Sequence, residues 1–107
     1  KLRLIDYDIY SSPHLAVIKL IDKKTRDALK HFLKERGIET VIHYPLPCHR
    51  QPFLNRIQFS ISKEVAFQAE NISSTILSLP LSEVHTKDEI TYVSNTINDF
   101  FNKTLHK

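Results

Sequence analysis

A chain of 107 residues has room for one hydrophobic core and not for two. Its 41% hydrophobic and 25% charged residues give an ordinary globular composition, which excludes a core-poor disordered segment. A net charge of +3, with Lys and Arg scattered among Asp and Glu, lacks the basic stripe of a nucleic-acid binder, and no apolar run approaches the roughly 20 residues of a membrane span.

In chain order, residues 2–9 alternate loosely between apolar and polar and break at Ser11, Ser12 and Pro13, which predicts a lead-in strand or linker over 1–13. The short apolar run from Leu15 to Ile21 is the expected central strand. Thr25 is the expected N-cap of a first helix, with Asp27 complementing the positive end of its dipole. Ala28, Leu29, Phe32 and Leu33 share one face of that helix, and Gly37, the single glycine, is placed to stop it. Residues 38–43 read as a second strand. Pro45, Pro47 and Pro52 then impose a stiff, largely extended loop.

Ser62 is the expected cap of a second helix running to about Thr75, with Val65, Ala69, Ile72 and Ile76 as its buried face. A third strand over 76–81 follows. Thr86 and Glu89 form a capping box that opens a last helix, whose inner face is Ile90, Val93, Ile97 and Phe101. These elements predict an α+β fold: a small, mostly antiparallel sheet with helices packed on one face. The chain opens at Lys1 on a strand-like stretch and contains no methionine, which leads to the expectation of a single domain cut from a longer polypeptide. Its one cysteine, Cys48, cannot close an internal disulfide, which fits a soluble, cytoplasmic protein.

Chemistry concentrates in the stretch from His43 to Pro52. Donors and acceptors leave a strand end there on a loop whose three prolines hold its side chains ready for a ligand. Connection alone would explain the prolines equally well. His43, Cys48 and His49 lack a fourth ligand at a zinc spacing, so no metal is expected. A Cys48–His49 nucleophile pair is disfavoured, because neighbours on extended chain point to opposite sides. His14 at a strand start reads as structural, His31 as solvent-facing, and Phe32, Phe100 and Phe101 as core. With one glycine, there is no phosphate-cradling loop.

The stretch 14–20, the run from Thr25 to Ile38, Thr40, His43-Tyr44-Pro45, His49, Gln51-Pro52, Ala69-Glu70, Leu77 to Leu81, Thr86 to Ile90 and Val93 follow one another as in a known family. From His14 onward the chain resembles the C-terminal part of the DegT/DnrJ/StrS-type aminotransferases, departing from their usual pattern at Val41-Ile42 and at Cys48. The resemblance implies the small domain of a fold-type I enzyme dependent on pyridoxal phosphate. The full-length parent, expected to be a homodimer, would move an amino group from glutamate or glutamine to a nucleotide-linked keto sugar. It places the cofactor lysine in a large domain of the same polypeptide, so this chain by itself is expected to hold no cofactor and to be inactive. It further implies that the loop after the second strand helps to enclose the sugar, with His43 and Tyr44 as first candidates for substrate binding and His49 and Gln51 as second. The alternative is a free-standing, ferredoxin-like module that binds a small molecule along the proline loop. A third reading makes the chain an oligomerisation piece built on its terminal helix.

Overall fold

The computed structural model describes residues 2–5, 8 and 10–105. Strand β1 (Arg3–Leu4) pairs antiparallel with β2 (Ala16–Lys19), opposing Arg3 to Lys19 and Leu4 to Ile18. Positions 1, 6, 7 and 9 of the expected lead-in segment lie outside the described residues. Strand β2 is central, as its apolar run predicts. On its other side it pairs antiparallel with β3 (Ile76–Leu79), with Ile18 opposite Leu77.

Helix α1 (Lys23–Lys34) starts one turn earlier than its sequence signal suggests. Asp22, not Thr25, is the N-cap: its carboxylate accepts from the Thr25 amide at 2.7 Å, and Thr25 is itself a first-turn residue. Asp27 instead takes the Arg26 guanidinium at 2.6 Å. The helix ends as expected. Gly37 has φ 73°, and the Ile38 and Gly37 amides reach back to the carbonyls of Leu33 and Lys34, the paired bonds of a Schellman turn.

The predicted strand over 38–43 shrinks to one residue. Val41 exchanges both backbone hydrogen bonds with Ser78 on the free edge of β3, at 3.2 and 2.8 Å, and pairing stops there. The proline loop is not extended throughout either. It coils into two 3-10 turns, Cys48–Arg50 and Pro52–Arg56, because proline removes an amide and presets φ without preventing a tight turn. Ser62 caps α2 (Lys63–Thr75) as predicted, accepting from Val65 N at 3.2 Å, and the chain passes from Thr75 into β3 with no loop between. Helix α3 (Lys87–Leu105) opens with the predicted capping box: Thr86 N donates to Glu89 at 2.8 Å and Glu89 N to Thr86 Oγ1 at 3.2 Å.

Helix α1 packs on β3 and against both other helices, so the core lies between the sheet and the helical layer. Ile18, Leu29, Leu33 and Leu77 are essentially fully buried, each contributing about 1.5–3 kcal/mol by leaving water. From α3, Ile97 and Phe100 enter this core, with Val93 and Phe101 packed partly against it. Phe100 meets Phe32 and Phe101 edge-on at ring centroid distances of 5.4 and 5.1 Å, the core role expected of these aromatics. Ile90, predicted for the same face, is exposed, because the core is assembled around the later turns of α3. No helix among the described residues is long and apolar enough to cross a membrane.

The larger departure concerns α2. Val65 and Ile72 of its predicted buried stripe are about half exposed, at 55% and 47%. The side of α2 that meets the protein carries Ser73 and Thr75, whose hydroxyls are satisfied by the helix's own carbonyls: Ser73 donates to Glu70 O at 3.0 Å and Thr75 to Asn71 O at 2.8 Å. The apolar stripe exists, but it faces elsewhere.

Candidate functional site

That stripe opens on a groove of about 630 Å3. His43, Tyr44 and His49 of the proline loop line it, together with Phe59 and Ile61 from the run into α2 and Ile72 from α2 itself. The Val41–Ser78 bridge explains how the loop reaches this place. By ending sheet pairing at Val41 it delivers His43 beside β3, where His43 Nδ1 lies 3.0 Å from the buried Ser78 Oγ. The next peptide bond, His43–Tyr44, is cis, and the two rings stand edge-on at 5.3 Å and 88°. Tyr44 is 71% exposed, so an aromatic face and a phenol remain available to a ligand.

His49 is held differently. Its Nε2 is 2.9 Å from Glu70 Oε1 on α2, and the same oxygen accepts from Arg50 Nε at 2.7 Å. Those bonds, from Arg50 first and His49 second, pull the Glu70 carboxyl down from 4.5 to about 2, so it is ionised across the neutral range. The Glu70 carboxylate in turn raises the Arg50 guanidinium above its ordinary value. His49 has only 9% of its side chain exposed, whereas Arg50 remains in solvent.

Of the four residues named from the sequence, His43, Tyr44 and His49 therefore converge on one groove. Gln51 lies outside the lining; its amide donates to Leu46 O at 3.2 Å and ties the loop across its own turn. Sequence reading did not assign roles to Ser78 and Glu70, which hold the two histidines. Both lie in segments that align with the family pattern, and only the fold reveals what they touch. Cys48 is exposed, and among the described residues no cluster of three or more His, Cys, Asp or Glu side chains could hold a metal ion. His31 is in solvent beside Glu35 on α1, as its sequence position suggests.

The family model of the DegT/DnrJ/EryC1/StrS aminotransferases matches residues 6–98. The dTDP-3-amino-3,6-dideoxy-alpha-D-galactopyranose transaminase of Aneurinibacillus thermoaerophilus is 36% identical over 90 residues, covering 81% of this chain and 22% of that protein. A pleiotropic regulatory protein of Geobacillus stearothermophilus is 36% identical over 76 residues, 71% of this chain and 20% of its own length. Among solved structures, DesV of S. venezuelae, in complex with a ketimine intermediate, superposes with a TM-score of 0.76 at 25% identity, over 92% of this chain and 26% of that one. The chain thus spans about a fifth of the curated relatives it matches. It belongs to the DegT/DnrJ/EryC1/StrS aminotransferase family.

Proposed function

We propose that this chain is the small, C-terminal domain of a pyridoxal-phosphate-dependent aminotransferase that acts on nucleotide-linked keto sugars, and that its groove forms one wall of the sugar cleft. The observation that carries the reading is the convergence of His43, Tyr44 and His49 on a single apolar groove, in a chain that aligns with a fifth of a dTDP-amino-sugar transaminase. An aromatic face, imidazole nitrogens and a phenol at the mouth of an apolar wall suit a deoxysugar, which presents both apolar edges and hydroxyls.

The same groove does not fit the cofactor. Among the described residues, no lysine lines it to form a Schiff base, no aspartate to face a pyridine nitrogen, and no arginine or glycine-rich turn to cradle a phosphate. The reading therefore assigns the cofactor, and the electron sink it supplies, to a large domain of the same polypeptide. The residues of this chain bind and orient the sugar and exclude water. Glutamate or glutamine would donate the amino group, and the working enzyme would be a homodimer.

The test uses the complete gene product that carries this chain. The expected result is a cofactor absorbance band bleached by glutamate or glutamine and restored by a dTDP-linked keto sugar. His43→Ala and Tyr44→Ala would then raise KM for the sugar nucleotide and leave bleaching by the amino donor intact. A gene product without a cofactor-binding lysine would sink the proposal.

A further inference from the structure

Glu70 is a carboxylate behind the groove wall that the proposed reaction leaves unused. A single oxygen, Oε1, accepts from both His49 Nε2 and Arg50 Nε. Both donors belong to the Cys48–Arg50 turn, and the acceptor belongs to α2, so this one oxygen pins the loop turn to the helix. An ionised carboxylate offers only lone pairs, so the nitrogen facing it must carry a proton. When His49 is neutral it is therefore the Nε2–H tautomer, and Nδ1 is a bare acceptor. Nδ1 has no hydrogen-bond partner among the described residues, and His49 lines the groove.

We propose that Glu70 is a positioning residue: it seats the loop turn on α2 and holds His49 as the Nε2–H tautomer, so that Nδ1 is offered at the groove wall as acceptor for a hydroxyl of the bound sugar. The identity of that hydroxyl donor rests on the sugar-aminotransferase reading; the tautomer does not. Arg50 completes the arrangement, since its guanidinium compensates the carboxylate charge from the solvent side while His49 stays covered. A glutamine at position 70 could still accept from the loop through its amide oxygen. It would lack the charge that strengthens both bonds.

Two measurements on the complete gene product test this. Nitrogen-15 NMR of the histidine ring, recorded at alkaline pH so that the imidazole is neutral, reads the tautomer of His49 directly, with His49→Gln identifying its signals. Expected is a protonated Nε2 and a bare Nδ1 in the wild type, and a mixture of tautomers in Glu70→Ala. Steady-state kinetics should show Glu70→Ala raising KM for the sugar nucleotide by about tenfold, with kcat changed far less, and Glu70→Gln recovering part of that loss. A bare Nε2 in the wild type, or a sugar KM unmoved in Glu70→Ala, overturns the proposal. A wild-type protein that shows Nε2–H on His49 but turns over no sugar nucleotide overturns the functional reading and leaves the tautomer assignment standing.

Discussion

Leu77 and Ile72 are both branched aliphatic residues five positions apart, and the fold gives them opposite weights. Leu77 has no exposed surface and sits opposite Ile18 in the central strand pair. Leu77→Ala removes three carbons, worth about 2.4 kcal/mol at about 0.8 kcal/mol each. The void would lie among buried side chains held by the sheet on one side and helices on the other. Little collapse is possible, and the cavity term lifts the loss to about 3–4 kcal/mol. Ile72 is 47% exposed on the groove face of α2, so Ile72→Ala should cost under about 1 kcal/mol. Urea unfolding followed by circular dichroism separates them. With a slope of about 1.5 kcal/mol per molar, Leu77→Ala lowers the midpoint by about 2 M, and Ile72→Ala by well under 1 M. Equal shifts for the two variants would refute the placement of the core between sheet and helices.

Asp22→Ala should lower the thermal midpoint by uncapping α1, whereas Thr25→Val should leave it nearly unchanged; the reverse order would restore Thr25 as the cap. Gly37→Ala meets no atom within 4 Å, so its cost of about 1 kcal/mol should come from the positive φ alone, and Gly37→Asn should cost less in the same urea assay. The Glu70 ties depend on pH with a definite sign. Because its folded value of about 2 lies below the ordinary 4.5, their stabilisation is complete above pH 4.5 and lost as pH falls towards 2. The difference in urea midpoint between the wild type and Glu70→Gln should shrink over that window. A difference that grows on acidification would contradict the contact.

Local signals fared according to how local their physics is. The Ser62 cap, the Thr86–Glu89 box and the Gly37 stop are all present, because each needs only three or four neighbouring residues to be satisfied. The cap of α1 falls on Asp22 and not on Thr25 because both residues are competent, and only the geometry of the chain leaving β2 selects between them. The strand expected over 38–43 was reduced to the Val41 bridge for a different reason. A strand requires a partner along its length, and β3 offers Val41 a place without extending the ladder to its neighbours.

Periodicity and turn residues in the sequence determined which residues share a face, the order of the elements and the position of the proline loop. What covers each face was decided by tertiary structure. The stripe Val65, Ala69, Ile72 and Ile76 is apolar by pattern, yet Ile76 joins the core through β3 while Val65 and Ile72 stay open. The pairings of His43 with Ser78 and of His49 with Glu70 span 35 and 21 residues. No local spacing rule reaches across such separations: the β2–β3 pairing and the docking of α2 bring those atoms together, and so turn a proline-rich loop into one wall of a groove.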